Sequence, residues 1–200
     1  MKELLKKVTE GQNLTREEAA KAMDMMLEGT ASPVLVSAFL TALRMKGETV
    51  DEIVGCTEMM KSKGGSVKLD TDEYIDFVGT GGDGANSFNI STTSMFVCAA
   101  AGVTVAKHGN RAASSKSGAS DLLEALGANI MLEPKQVEQC INETGMGFMN
   151  AMKFHKAMKN VGPIRKEIGI RTIFNMLGPL SNPSNASRQV IGVFSPEKVR

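Results

Sequence analysis

Glycine, short polar side chains and basic side chains are concentrated in three segments of the chain. Residues 79–84 contain four glycines, which allow a sharp turn and bring backbone amides close to an anion. Residues 89–92 open a predicted helix, where hydroxyls, amides and the helix dipole favour a negative charge. Residues 107–118 combine three basic side chains with three serines. Together the segments predict a site for a small ligand with more than one phosphate.

Each segment also has an ordinary structural interpretation. The glycine-rich turn can be a plain loop, residues 89–92 an N-cap, and the basic segment a solvated charge run. The turn lacks the lysine of a Walker loop and the spacing of a dinucleotide-binding turn. Its Asp83 favours a hydroxyl or a metal-bound diphosphate as the partner. We interpret His108 as a hydrogen-bonding or positioning group and not as a general base.

The composition excludes several classes of protein. The 200 residues include 23 Lys plus Arg and 22 Asp plus Glu, a net charge of +1, which argues against nucleic acid or a membrane surface as a partner. No apolar run reaches the roughly 20 residues that span a bilayer. The three cysteines have no disulfide or metal-ligand spacing. We expect a globular protein in the cytoplasm.

The elements that must position these segments fall into two parts. Capping boxes at Thr15 and Thr49 and Pro33 after Ser32 predict a helical subdomain over residues 1–68, with its methionines in the core. Residues 69–200 alternate strands with helices, which predicts an α/β domain with a mostly parallel sheet. We expect a hinge near residues 63–69 and an α/β domain that is truncated at its C-terminal end. The predicted strands are 74–78, 103–106, 129–132, 147–149 and 189–194; the predicted helices of this domain are 91–101, 117–126, 134–143, 158–168 and 171–176.

Six strings, in order and spacing, resemble the anthranilate phosphoribosyltransferase family of tryptophan biosynthesis over essentially the whole chain. They are Val-Gly-Thr-Gly-Gly-Asp at 78–83, Asn-Ile-Ser-Thr at 89–92, Lys-His-Gly-Asn-Arg at 107–111, Ser-Ser-Lys-Ser-Gly at 114–118, Asp-Leu-Leu-Glu-Ala-Leu-Gly at 121–127, and the stretch 169–183.

The resemblance implies phosphoribosyl pyrophosphate with Mg²⁺ as donor, the amino group of anthranilate as acceptor, and a homodimer. Arg165 would hold the carboxylate of anthranilate, which would lie against Gly79 and Asn110, and Ser91 would ligate one Mg²⁺. Lys107, Asp83 and His108 would act in catalysis by electrostatics and positioning. The substrate-binding residues implied are Gly79, Gly82, Asp83, Ser87, Asn89, Ile90, Ser91, Thr92, Lys107, His108, Gly109, Asn110, Arg111, Ala112, Ala113, Ser114, Ser115, Ala119 and Arg165.

The implied chemistry needs no strong general base, because the amine of anthranilate is already a nucleophile. The barrier lies in the loss of diphosphate through an oxocarbenium-like transition state, and holding two substrates together could contribute about 7–11 kcal/mol. We expect Lys107 to lower this barrier more than it strengthens anthranilate binding.

Two features depart from the family pattern. Met152 and Lys156 stand where the family usually has prolines, so we expect a looser loop on the acceptor side. The acidic pair that ligates most of the magnesium in the family lies beyond residue 200.

Three alternatives stay open at this stage. A pyrimidine-nucleoside phosphorylase is the nearest, although Asn110 and the stretch 170–175 disfavour it. A non-catalytic relative that binds nucleic acid is disfavoured by the net charge. An inactive fragment that retains donor-binding loops is the third.

Overall fold

The computed structural model describes residues 1–81, 87–111, 117–196 and 199, which form two compact units. One unit contains residues 1–64 and 155–181, and the other contains residues 65–154 and 182–200. The sequence analysis predicts a single boundary at residue 68, whereas each unit contains two separate segments of the chain. Residues 155–181 belong to the first unit because Val161, Ile173 and Leu177 are buried in the same apolar cluster as the N-terminal helices.

Helices fill the first third of the chain, and strands alternate with helices after it. In chain order the elements are α1 (Lys2–Thr9), α2 (Arg16–Leu27), α3 (Pro33–Lys46), α4 (Val50–Ser62), β1 (Tyr74–Gly79), α5 (Ile90–Ala100), β2 (Thr104–Gly109), α6 (Ala119–Ala125), α7 (Pro134–Thr144), β3 (Met146–Asn150), α8 (Ala151–Phe154), a 3₁₀ helix (Lys156–Asn160), α9 (Gly162–Ile168), α10 (Phe174–Leu180) and β4 (Arg188–Gly192). None of these helices, within the described ranges, has both the length and the apolar character needed to cross a bilayer.

The helical unit begins its helices as the sequence predicts. Thr15 and Thr49 each accept a hydrogen bond from the backbone of the glutamate three residues later, and both capping boxes are complete. Ser32 caps α3, with Pro33 in its first turn. The predicted methionine core is confirmed, because Met23 and Met26 are buried against Phe39, Leu40 and Leu43.

A buried carboxylate ties this unit together. Glu52 is 0% exposed, and its Oε1 accepts a hydrogen bond from the backbone N–H of Leu14 at 2.9 Å. Its Oε2 accepts from the backbone N–H of Thr49 at 2.8 Å and from Lys46 Nζ at 3.0 Å. These donors replace the water that the charge loses on burial.

The second unit is a parallel sheet of four described strands in the order β3-β2-β1-β4. This confirms the predicted α/β fold. Along β1 and β4 the pairing runs to Gly79 opposite Gly192, and along β2 and β3 it runs to Gly109 opposite Asn150. The pairs recorded between β1 and β2 are Tyr74↔Thr104 and Ile75↔Val105, which lie at the start of both strands.

The strand predicted at residues 129–132 is wrong. This segment forms a turn in which the Asn129 side chain accepts a hydrogen bond from the backbone N–H of Met131 at 3.0 Å. Ile130 is 4% exposed, so one buried apolar side chain produced the strand-like pattern. The helix predicted at 158–168 is also interrupted, because the 3₁₀ helix ends at Asn160 and Pro163 lies in the first turn of a new helix, α9.

We predict that Gly55→Ala destabilises the helical unit by about 1–3 kcal/mol. A Cβ at Gly55 would collide with the backbone carbonyl of Arg16 on the packed helix α2, and backbone atoms cannot rotate away. Gly162→Ala, in the same unit, is the control because nothing lies within 4 Å of its Cβ position. Urea unfolding measures both variants, and equal stability of the two would contradict the packing at Gly55.

Candidate functional site

The first site element is the turn that follows β1. Gly79 is the last residue of β1, and the backbone N–H of Thr80 still donates to Gly192 O at 2.9 Å. Gly81 has a φ of +64°, a left-handed conformation that favours glycine, so the chain turns sharply at the strand end. The predicted residues Gly82 and Asp83 lie outside the described residues.

The start of α5 is tied to the start of α6. Asn89, the N-cap residue of α5, donates from Nδ2 to Ser117 Oγ at 3.1 Å and to Gly118 O at 3.4 Å. The backbone N–H of Ser120 in α6 donates to Asn110 O at 3.2 Å, just after β2. These hydrogen bonds bring together two helix starts and one strand end. The predicted residues Ser87, Asn89, Ile90, Ser91, Thr92, Asn110 and Ala119 all belong to these segments.

Lys107 and His108 lie in β2, although the sequence predicts that the strand ends at residue 106. They pair with Phe148 and Met149 of β3, which extends the strand beyond its apolar residues. Each is 3% exposed. Lys107 Nζ donates a hydrogen bond to the backbone carbonyl of Phe77 on β1. Burial lowers the pKa of Lys107 to about 8, and the negative charge of Asp76 opposes this shift.

Asp76, which the sequence analysis did not single out, lies beside these residues in the middle of β1. It is 0% exposed, and its Oδ1 accepts the backbone N–H of His108 at 3.1 Å. Its Oδ2 accepts Gln189 Nε2 of β4 at 3.1 Å. Burial raises the pKa of Asp76, against hydrogen bonds from Asn182, His108 and Gln189 and the charge of Lys107. A lone carboxylate within an apolar strand was the signal available in the sequence.

Arg111 forms ion pairs with two acidic side chains of α6. Its Nη1 lies 2.9 Å from a carboxylate oxygen of Asp121 and 2.9 Å from one of Glu124. Asp121 also accepts the backbone N–H of Gly118, so the loop after β2 is attached to the first turn of α6. The phosphate-binding role of Arg111 stays a prediction, and Ala112, Ala113, Ser114 and Ser115 lie outside the described residues.

Gly109 allows a close approach at the end of β2. A Cβ there would lie 2.8 Å from the Phe148 ring and 3.3 Å from Ala119 Cβ. This packing explains the glycine whether or not a phosphate is bound.

Arg165 belongs to the other unit, in α9. Its guanidinium carbon lies 5.1 Å from the centroid of the Phe174 ring, a cation–π arrangement. Burial lowers the pKa of Arg165 from its ordinary value. The carboxylate-binding role of Arg165 stays a prediction.

Among the residues that the structure describes, no group of three or more His, Cys, Asp or Glu side chains gathers to hold a metal. Ser91, in the first turn of α5, supplies a hydroxyl oxygen, which is the ligand type that Mg²⁺ prefers. Mg²⁺ in enzymes commonly keeps several waters and binds phosphate oxygens of the substrate. The single hydroxyl oxygen of Ser91 is therefore compatible with an Mg²⁺ ion whose other ligands are waters and diphosphate oxygens of the substrate.

The chain combines a capped helical unit with a parallel α/β unit that carries polar segments at its strand ends. Two family models match the chain: the helical bundle domain of the glycosyl transferase family over residues 2–64, and its a/b domain over residues 71–200. The chain belongs to the glycosyl transferase family.

The relatives extend beyond the length of this chain. It is 56% identical over 196 residues to an anthranilate phosphoribosyltransferase of Acetivibrio thermocellus, covering 98% of this chain and 57% of that protein. The crystal structure of the anthranilate phosphoribosyltransferase of Thermus thermophilus matches with a TM-score of 0.91 and 46% identity, over 97% of this chain and 59% of that one. The Saccharomyces cerevisiae enzyme in complex with PRPP (phosphoribosyl pyrophosphate) and Mg matches with a TM-score of 0.84 and 32% identity, over 92% and 55%.

We predict that Lys107 makes the stability of the protein increase with pH. The unfolded chain holds this proton up to the ordinary lysine pKa of 10.5, whereas the folded chain releases it near 8. Between pH 8 and 10.5 the unfolded state therefore binds more protons, and the free energy of unfolding rises with pH. The gain over this range is about 3 kcal/mol at 1.36 kcal/mol per pKa unit.

Urea unfolding of the wild type and Lys107→Met across this range measures the effect. The wild type should gain stability relative to the variant as the pH rises, because the other titrating groups are common to both. Lys135→Met, which removes an exposed lysine of the same unit, should show no such divergence. Parallel curves for wild type and Lys107→Met would contradict the assignment.

Proposed function

We propose that the protein transfers the 5-phosphoribosyl group of phosphoribosyl pyrophosphate to the amino group of anthranilate and releases diphosphate. The observation that carries this proposal is the junction at the C-terminal ends of the strands, where Asn89 joins the starts of α5 and α6 beside the end of β2. The junction contains the Ser117 hydroxyl, and the backbone N–H of Ser120 donates there to Asn110 O just after β2. The identity of 56% to an anthranilate phosphoribosyltransferase supports the choice of reaction.

The donor is bound by the segments at the strand ends. The first turn of α5, with Ser91 and Thr92, presents backbone amides and the positive end of an 11-residue helix to the phosphates. Gly79 and the glycine turn after β1 let the chain approach the donor closely. Gly82, Asp83 and residues 112–115 are part of the proposed site on the grounds of the sequence.

In the reaction, the bond between the anomeric carbon and the diphosphate oxygen breaks, and its electron pair leaves with the diphosphate. The amine nitrogen of anthranilate forms the new bond to that carbon and then loses a proton to solvent. Lys107, already desolvated and held by Phe77, stabilises the negative charge that develops on the leaving group. His108 is fixed through its backbone by Asp76 and serves as a positioning residue.

Mg²⁺ bound with the donor would neutralise charge on the diphosphate, and Ser91 is the described residue that would hold it. The Saccharomyces cerevisiae relative in complex with PRPP and Mg supports this choice of metal.

Arg165 recognises the acceptor in this proposal. A planar guanidinium binds a carboxylate through two parallel hydrogen bonds, and anthranilate carries one carboxylate. Phe174 keeps the guanidinium in place by stacking against it.

We also propose a homodimer in the cytoplasm. Val34, Met45 and Val50 on the helical unit are 77%, 83% and 71% exposed, and these apolar side chains would be covered in a dimer.

Incubation of the 200-residue chain with phosphoribosyl pyrophosphate, anthranilate and Mg²⁺ should give phosphoribosyl anthranilate and diphosphate in equal amounts. Chromatography with mass detection measures both products, and omission of Mg²⁺ should lower the rate at least about tenfold. Thymidine with phosphate is the comparison reaction. Release of thymine without phosphoribosyl anthranilate would favour a nucleoside phosphorylase, and failure to bind either substrate in calorimetry would overturn the proposal.

We predict that Arg165→Ala weakens anthranilate binding about 10- to 100-fold, because a hydrogen-bonded charge pair contributes about 1.5–3 kcal/mol. The dissociation constant of phosphoribosyl pyrophosphate should stay within about twofold. Lys166→Ala removes an exposed charge of the same helix and should change neither constant. Unchanged anthranilate affinity in Arg165→Ala would show that another residue holds the carboxylate.

A further inference from the structure

We propose that Asp76 is a positioning residue that holds the end of β2, with Lys107 and His108, in the geometry that binds the diphosphate of the donor. This inference rests on the proposed function. Asp76 itself is enclosed within the sheet, so it acts through its neighbours and not by contact with substrate.

Strands β1 and β2 are joined by backbone pairing at their beginnings and by side-chain hydrogen bonds further along. The recorded residue pairs are Tyr74↔Thr104 and Ile75↔Val105, at the beginning of both strands. Further along, side chains make the connections: Asp76 Oδ1 accepts the His108 N–H, and Lys107 Nζ donates to Phe77 O. These side-chain hydrogen bonds join the later parts of both strands, toward the C-terminal ends at which open α/β sheets bind ligands.

Asp76 also connects β2 to β4. Its second carboxylate oxygen accepts Gln189 Nε2, and Gln189 is its paired residue on β4. A single side chain thus links the three strands β2, β1 and β4. Asn182 adds to this connection by donating from Nδ2 to Ala106 O at 3.0 Å, next to Lys107.

The charge of Asp76 matters as well as its hydrogen bonds. Lys107 is buried, and a buried ammonium tends to lose its proton unless a negative charge is near. Asp76 is the charged group that acts on Lys107 among the described residues, and it favours the protonated form. A protonated Lys107 is the form that attracts a diphosphate, so Asp76 supports both the position and the charge of this lysine.

Two variants divide these contributions. Asp76→Ala removes all the hydrogen bonds and the charge, whereas Asp76→Asn keeps one oxygen to accept the His108 N–H and removes the charge together with the second acceptor, which Gln189 Nε2 uses. Glu52→Gln is the matched control, because Glu52 is also a fully buried carboxylate that accepts backbone N–H groups and a lysine, but in the helical unit.

Calorimetry with phosphoribosyl pyrophosphate and Mg²⁺, and separately with anthranilate, measures binding to the full chain. We expect Asp76→Ala to weaken donor binding at least about tenfold and Asp76→Asn to weaken it less, with anthranilate affinity unchanged in both. Glu52→Gln should lower the melting temperature and leave both affinities unchanged. Equal donor affinity in the wild type and in both Asp76 variants would overturn the proposal.

Nuclear magnetic resonance gives a readout that does not depend on substrate binding. The His108 amide resonance should move upfield in Asp76→Ala, and the Lys107 side chain should titrate at lower pH in Asp76→Asn than in the wild type. If Asp76→Ala does not fold, Asp76→Asn carries the test. Failure of the wild type to bind the donor would count against the proposed function alone, whereas an unmoved His108 amide and an unmoved Lys107 titration would count against Asp76.

Discussion

The burial of one carboxylate in the centre of the sheet is the constraint on which the site geometry depends. A charge in an apolar interior is stable only where hydrogen-bond donors and an opposite charge replace its lost hydration. Asp76 obtains these from the His108 backbone, from Gln189 and from the charge of Lys107. Because His108 and Gln189 come from the two neighbouring strands, their hydrogen bonds to the carboxylate also connect β2 and β4 to β1.

The helical unit also contains a buried carboxylate that is satisfied by hydrogen-bond donors, but this one is not among the predicted site residues. Glu52 accepts the backbone N–H groups of Leu14 and Thr49 and pairs with Lys46, so it joins a loop, a helix start and a helix end. There the carboxylate stabilises packing far in sequence from any predicted site residue. In the sheet unit, the carboxylate is next to residues that the sequence assigns to the phosphates. Each unit thus contains a buried acid that accepts backbone N–H groups from other segments of the chain.

Much of the candidate site was predictable because it depends on local chemistry. Glycines after β1, short polar residues at the start of α5 and basic residues after β2 are visible as residue types at short spacing. The capping boxes at Thr15 and Thr49 were equally predictable, since both partners lie within one helical turn. The segment at residues 129–132 was not, because a turn that buries Ile130 has the same short apolar pattern as a strand.

The sequence by itself determined the two-part organisation, the capped starts of α2, α3 and α4, and the residue types of the candidate site. These follow from interactions between residues a few positions apart. The tertiary structure alone decided that Asn89 meets Ser117, that Lys107 is buried against β1, and that residues 155–181 pack with the N-terminal helices. Such contacts join residues far apart in the chain, and the free energy of burial, which depends on the whole fold, selects them.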